Sequence, residues 1–224
     1  MKHEVFDVPG FVQRNTARVR SARYLSKGKR ALDVIGVLAL APIAAPLIGA
    51  LWCAVRLDGG AGFFGHERVG QDGRAFHCWK LRTMVPDARA RLRDHLRHDP
   101  AAAREWAQTY KLRNDPRVTR LGRFLRKSSL DELPQLWNVL RGEMSLVGPR
   151  PVPRAELLEY AGFERAYYAM RPGITGLWQV SGRNSVTYAD RVQMDMTYAR
   201  KASLLMDLRI LGRTIGVVLR RTGC

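Results

Sequence analysis

The chain is poor in the residues and motifs that build metal centres, disulfide frameworks and the common nucleotide-binding loops. Its three cysteines, Cys53, Cys78 and Cys224, lie far apart and form no CxxC pair, so they indicate neither a structural zinc site nor a disulfide scaffold, and they fit a reducing compartment. The sequence has no GxxxxGK(S/T) loop, no GxSxG, no HExxH and no GxGxxG that follows a strand. The usual signatures of P-loop nucleotidases, serine hydrolases and zinc proteases are therefore missing.

Acidic residues are also scarce. The 224 residues include 20 Asp and Glu against 38 Lys and Arg, which gives a formal net charge of +18. This surplus favours anionic partners, namely nucleic acid, acidic lipid headgroups or phosphorylated substrates. Aromatic residues are not interleaved with the basic ones and no nucleic-acid recognition module is evident, so we expect no nucleic-acid partner.

One long segment lacks charge altogether. Residues 34–55 read VIGVLALAPIAAPLIGALWCAV, which is long enough for a membrane-embedded helix. Pro42 and Pro46 each remove a backbone donor and clash with the carbonyl four residues earlier, so we expect the helix to kink or break near Pro42.

The sequence on either side of this segment bears on how it meets the membrane. Basic residues flank both ends, which places both ends in the cytoplasm and favours a re-entrant helix that enters, bends at Pro42 and leaves on the same face. One spanning helix with a tolerated kink, or a buried core helix of a soluble protein, are the alternatives. We divide the chain into a basic N-terminal segment (1–30), a re-entrant membrane helix (31–57) and a cytoplasmic catalytic domain (58–224).

The rest of the chain predicts an α+β fold that is mostly helical. Strand candidates at 63–64, 68–69 and 75–81 around glycine-rich turns indicate a small β-hairpin. Residues 85–110 favour helix, interrupted at Asp99-Pro100. The C-terminal stretch 204–221 has a broad apolar face with arginines between, which suits an amphipathic helix in the lipid headgroup layer and suits packing against the core equally well.

Two adjacent carboxylates stand out in this basic chain. Asp131 and Glu132 precede Pro134 at the predicted start of a helix, with either Asp131 or Ser129 as its N-cap. The positive end of a helix favours the ionised carboxylate, which a nucleophile or a magnesium ligand requires. Plain helix capping is the alternative interpretation.

Candidate anion-binding residues surround this pair in the sequence. Guanidinium groups held by tight Gly/Pro turns grip pyrophosphate in a bidentate way, although each such arginine alone is weak evidence. The candidates are Lys80, Arg82, Thr83, Arg126, Arg150, Arg171 and Arg183.

Three segments together resemble the bacterial sugar transferase family, the monotopic phosphoglycosyl transferases that start exopolysaccharides on undecaprenyl phosphate. They are KLRTM (80–84), SLDELPQLWNVLRGEMSLVGPRP (129–151) and RPGITGLWQVSGRN (171–184), in this order after a proline-broken apolar helix. The resemblance covers roughly residues 27–223, and the short length resembles the minimal form of the family. One departure is Ala41, where family members often have Ser before the helix-breaking proline.

The resemblance implies a reaction, a cofactor and partners. Asp131 would attack the sugar-bearing phosphorus of a UDP-sugar and release UMP, and undecaprenyl phosphate would then take the sugar phosphate. Mg²⁺ would be held by Asp131 and Glu132, with Glu132 acting on the metal or on a proton, and the motif arginines would hold phosphates. UDP-galactose or UDP-glucose is the expected donor, anionic lipids are expected partners, and a homodimer is a candidate assembly.

The family also implies a location at the bacterial inner membrane, with the active site on its cytoplasmic face. A noncatalytic membrane scaffold or regulator of polysaccharide assembly is the alternative function. Such a scaffold would keep the apolar helix and the basic surface but would not need an acid pair among phosphate-binding turns.

Overall fold

A computed structural model describes residues 24–160, 162–181 and 186–219, so Arg183 and the first 23 residues lie outside the described part of the chain. Within these ranges the fold is mostly helical with four short strands, which confirms the predicted α+β class. The helices are α1 (Lys29–Arg56), α2 (Ala88–His98), α3 (Pro100–Thr109), α4 (Arg120–Ser128), α5 (Gln135–Arg141), α6 (Glu164–Tyr168), α7 (Leu177–Ser181), α8 (Tyr188–Lys201) and α9 (Leu204–Leu219). The strands are β1 (Phe63–Val69), β2 (Ala75–Leu81), β3 (Ser145–Val147) and β4 (Gly173–Thr175).

Helix α1 carries the uncharged segment. It is assigned as one helix from Lys29 to Arg56 with Pro42 and Pro46 inside it, so the prolines do not divide it into two helices. The helix continues past both prolines because each proline removes only one backbone hydrogen bond, while the neighbouring hydrogen bonds remain. The helix is long and apolar enough to cross a membrane, and only 11% of its most apolar window is buried. Its exposed Ile35 and Ile43 are unlike the residues of a soluble core helix.

One face of α1 packs on the rest of the protein. At its start, the Lys29 Nζ lies 2.7 Å from a carboxylate oxygen of Asp207 in α9 and donates to the Tyr198 hydroxyl at 2.9 Å. One turn later, an Asp33 oxygen accepts from the backbone N–H of Leu146 at 2.8 Å. Both Lys29 and Asp207 are almost completely buried, so this ion pair is held out of water.

The far end of α1 also contacts the domain. Val55 is buried in a cluster with Leu81 of β2 and Leu125 of α4. The Arg82 guanidinium donates to the Val55 carbonyl at 2.8 Å, where the last carbonyls of a helix lack partners within the helix. Both ends of α1 therefore rest on the same domain.

The predicted hairpin and the predicted helix interruption are confirmed. Strands β1 and β2 pair antiparallel over their full length, with Phe63 opposite Leu81 and Val69 opposite Ala75. Helix α2 ends at His98 and α3 starts with Pro100, because the Asp99 side chain accepts hydrogen bonds from the first backbone N–H groups of α3.

Helix α9 packs on the domain core, which is one of the two interpretations left open by its sequence. Ile210 is buried in the main core with Val37 and Ala44 of α1, so one face packs on the domain. The opposite face exposes Leu205 and Leu208. Packing on the core therefore explains the face that carries Ile210, whereas the face that carries Leu205 and Leu208 stays apolar and exposed.

The buried pair between Lys29 and Asp207 predicts a large stability effect. Lys29→Met leaves the Asp207 charge buried without its cation, and we expect a loss of about 3–5 kcal/mol in the free energy of unfolding. Lys27→Met is the control, since Lys27 is exposed. Thermal unfolding of the detergent-solubilised protein measures both. Equal melting temperatures for the two variants would contradict the assigned role of the pair.

Candidate active site

The two carboxylates lie in a single turn between two helices. Residues Leu130–Glu132 form a 3₁₀ turn after α4, and α5 begins only at Gln135, so neither carboxylate lies in its first turn as predicted. Ser129 has a left-handed backbone (φ 58°) that ends α4, and its side chain makes no capping hydrogen bond. An N-cap needs an extended backbone, which explains why neither predicted cap forms.

Lys80 joins the two carboxylates. It lies near the end of β2, and its Nζ is 2.6 Å from a Glu132 oxygen and 3.9 Å from an Asp131 oxygen. Burial raises the pKa of Asp131 to about 6, although Lys80 opposes this shift and the Glu132 charge adds to it. Burial thus outweighs the nearby charges of Lys80 and Arg126, which favour the ionised form of Asp131. The carboxyl is still mostly ionised at pH 7 to 8.

The first of the three sequence motifs, KLRTM (80–84), is hydrogen-bonded to α4 and to its N-cap, Thr119. The Arg126 Nε donates to the Thr83 hydroxyl at 2.9 Å, and the Thr119 N–H donates to the Thr83 carbonyl at 3.1 Å. Gly122 permits this approach, since a Cβ at that position would lie 2.0 Å from the Thr83 carbonyl oxygen. Thr83 and Arg126 thus form a contact beside the dyad, and the Asp131 charge acts on the Arg126 guanidinium.

The other two motifs meet as parallel strands. Ser145 of β3 stands opposite Gly173 of β4, and the Gly173 N–H donates to the Pro149 carbonyl at 2.8 Å. A Cβ on Gly173 would lie 2.1 Å from the backbone nitrogen of Gly148, so the two backbones touch. This contact fixes the turn that carries Arg150.

All three motifs contribute to one cleft beside the dyad. Its cavity volume is only about 20 Å³, so it is a narrow cleft and does not enclose a whole ligand. The cleft is lined by Arg68, Cys78, Lys80, Glu132, Gln135, Arg150, Pro151, Gly173, Ile174 and Gln179. Acid and basic side chains from segments far apart in the sequence therefore converge here.

A sequence profile described as bacterial sugar transferase matches residues 24–221. The chain belongs to the bacterial sugar transferase family. The family predicted from the three motifs is confirmed, and with it membership in a family of enzymes.

Curated relatives of this sugar transferase are similar over most of its length. It is 54% identical to the UDP-galactose-lipid carrier transferase of Erwinia amylovora over 95% of the chain, and 49% identical to the undecaprenyl-phosphate galactose phosphotransferase of Salmonella typhimurium over the same share. The chain spans 44% of the length of each of these two proteins. It is also 46% identical to the exopolysaccharide production protein ExoY of Rhizobium meliloti, over 94% of the chain and 92% of that protein.

Three predicted basic residues of the sugar transferase, Arg82, Arg126 and Arg171, lie outside the cleft lining. Arg82 is directed to the Val55 carbonyl at the end of α1, and Arg171 is half-buried before β4 with its carbonyl against Gly148. Because side chains two residues apart in a strand point to the same side, the sequence suggests that Arg82 lies beside Lys80. It does not reveal that Arg82 instead caps the end of α1.

Sequence reasoning missed Arg68 as a site residue. It lies in the strand candidate at 68–69, and the hairpin folds it onto the cleft. The pairing of β1 with β2, which places Arg68 opposite Phe76, is the signal from which its position follows.

The carboxylates fit a magnesium ion better than a transition metal. Among residues 24–160, 162–181 and 186–219 no group of three or more His, Cys, Asp and Glu side chains is placed to hold a metal. Two adjacent carboxylates suit Mg²⁺, which is bound through one or two carboxylates together with water and substrate phosphates. Asp131 and Glu132 are the residues that would hold it.

The contact between Gly122 and Thr83 generates a prediction. Gly122→Ala forces the Thr83 carbonyl away from α4, so we expect lower thermal stability and at least tenfold lower transferase activity. Gly212→Ala in α9 is the matched control, because a Cβ there meets nothing within 4 Å. Thermal unfolding and an assay of transferase activity test both variants. Normal activity of Gly122→Ala would show that the first motif does not depend on this contact.

Proposed function

We propose that the protein transfers a sugar 1-phosphate from a UDP-sugar to undecaprenyl phosphate through a covalent intermediate on Asp131, and thereby starts exopolysaccharide assembly. The observation that carries this proposal is the position of Asp131, a buried carboxylate beside Lys80 and next to Glu132, which lines a cleft together with Lys80, Arg68 and Arg150. The names of the relatives support the lipid carrier and the hexose.

The reaction has two displacements at one phosphorus. In the first, an Asp131 oxygen forms a bond to the sugar-bearing phosphorus while the bond to the UMP oxygen breaks, and UMP leaves. In the second, a phosphate oxygen of undecaprenyl phosphate attacks that phosphorus and the bond to Asp131 breaks. The products are UMP and undecaprenyl-diphosphate sugar, and the bond between sugar and phosphate oxygen stays intact.

The chain's own residues prepare the nucleophile. Lys80 holds Glu132 at 2.6 Å and lies within 3.9 Å of Asp131, so its charge stabilises the ionised dyad. A bound Mg²⁺ would neutralise diphosphate charge at this dyad. We assign phosphate contacts to Lys80, Arg150 and Arg126, with Thr83 orienting Arg126 through its hydroxyl. Arg171 and Arg183 remain predicted phosphate ligands, and for Arg82 we propose a role in holding α1.

A re-entrant or surface-lying α1 explains the access of both substrates. A straight 28-residue helix is about 42 Å long, enough to carry its far end across a bilayer. Lys29 at one end and Val55 at the other both contact the same domain. We therefore propose that both ends lie on the cytoplasmic face of the inner membrane. The apolar outer face of α9, with exposed Arg209 and Arg213, would lie on anionic lipid headgroups.

Labelling of single cysteines tests this topology. In a cysteine-free variant (Cys53→Ser, Cys78→Ser, Cys224→Ser), Lys27→Cys and Asp58→Cys should both resist a membrane-impermeant maleimide in intact spheroplasts and react after permeabilisation. Both native side chains are exposed in the structure. Labelling of one position, but not the other, in intact spheroplasts would establish a spanning helix instead.

The Asp131→Asn variant tests the reaction itself. Loss of the nucleophile should lower UMP release at least about 10³-fold, with membrane association unchanged. The assay uses nanodisc-embedded protein, Mg²⁺, undecaprenyl phosphate and a panel of UDP-sugars that includes UDP-galactose and UDP-glucose. Asp94→Asn is the control, since Asp94 is exposed on α2.

Denaturing mass spectrometry of the protein mixed with donor alone should detect the sugar phosphate on the wild type and on Asp94→Asn only. A folded, membrane-bound wild type that releases no UMP with any sugar would favour the scaffold interpretation.

A further inference from the structure

Arg68 and Arg150 form a pair of like charges at the cleft. Arg68 reaches the cleft from β1, and Arg150 reaches it from the turn after β3. The Arg68 Nη1 is closed to solvent and has no hydrogen-bond partner among the described residues, and within the same ranges Arg68 has no carboxylate within 4.0 Å. A partly buried cation is thus left without an anion.

The energetics of this arrangement favour a missing anion. Burial lowers the pKa of Arg68, and the nearby Arg150 charge lowers it further, while Glu156 opposes both only as a more distant charge. Burying a charge costs free energy unless it is paired and hydrogen-bonded. Two guanidinium groups directed at one space match the oxygens of a phosphate group, which accept several such hydrogen bonds.

The two arginines are held in a fixed relation. The Val69 N–H, next to Arg68, donates to the Val152 carbonyl at 3.0 Å. The buried Tyr167 hydroxyl donates to the Val69 carbonyl at 2.6 Å and accepts from the Val152 N–H at 3.2 Å. The hairpin and the turn that carries Arg150 are therefore tied together before any ligand arrives, which reduces the ordering that binding requires.

We propose that Arg68 and Arg150 together bind a phosphate group beside the dyad, with Arg68 as a phosphate-binding residue that the sequence motifs did not reveal. This inference rests on the proposed function, which supplies two sources of that phosphate, the diphosphate of the nucleotide sugar and the phosphate of the acceptor lipid. The site is separate from Arg126, which contacts Thr83 on another side of the dyad.

Steady-state kinetics of Arg68→Gln in nanodiscs test the proposal, with Arg74→Gln as the control because Arg74 is exposed on the same hairpin. We expect the KM of one substrate to rise at least tenfold. A rise for the UDP-sugar identifies the donor diphosphate, and a rise for undecaprenyl phosphate identifies the acceptor. KM values within twofold of the wild type for both substrates would overturn the proposal.

Stability separates this role from a structural one. Removal of an uncompensated cation should leave the melting temperature of Arg68→Gln unchanged or raise it, whereas a structural arginine would lower it. Arg68→Lys keeps the charge without the two-pronged geometry and should also raise the affected KM. If Arg68→Gln does not fold, Arg68→Lys takes its place in these measurements. A lower melting temperature with normal KM values overturns the inference.

A binding measurement keeps the inference distinct from the proposed function. Inorganic pyrophosphate should raise the melting temperature of the wild type and of Arg74→Gln, and at the same concentration should raise that of Arg68→Gln much less. If the wild type releases no UMP, the proposed reaction fails while this comparison still decides the phosphate site. Equal shifts in all three proteins overturn it.

Discussion

The buried ion pair between Lys29 and Asp207 is the constraint on which the rest of the structure depends. It joins the start of the apolar helix to α9, with the Tyr198 hydroxyl completing the contact. One turn further, Asp33 holds the start of β3 through the Ser145 hydroxyl and the Leu146 N–H. Since β3 pairs with β4, and these strands carry the turn of Arg150, the anchor of α1 also orders one wall of the cleft.

The site works by balancing burial against charge. Burial raises the pKa of Asp131, and the cations of Lys80 and Arg126 oppose that shift. The +18 net charge therefore has a local use in addition to any attraction to lipid. A net positive charge favours anionic ligands in general, while Asp131 and Glu132 lie together in one turn.

The sequence predicts those parts of the fold that depend on local chemistry alone. The hairpin follows from strand patterns around glycine turns, and the break before Pro100 follows from the capping side chain of Asp99. Local rules fail where tertiary contacts decide. The left-handed backbone of Ser129 shifts the dyad out of its predicted helix, and the orientation of Arg68 and Arg82 depends on strand pairing and on where α1 ends.

The two prolines of α1 set the shape of the contact between helix and domain. Pro42 and Pro46 are four residues apart, so they lie on one face, and both are exposed, whereas Val37 and Ala44 are buried against the core. A helix bends away from its prolines, here toward the domain. The helix contacts the domain near its start at Lys29, near its middle at Ala44 and near its end at Val55. The prolines thus favour a helix that curves around its own domain, with Pro42 and Pro46 on its exposed convex side.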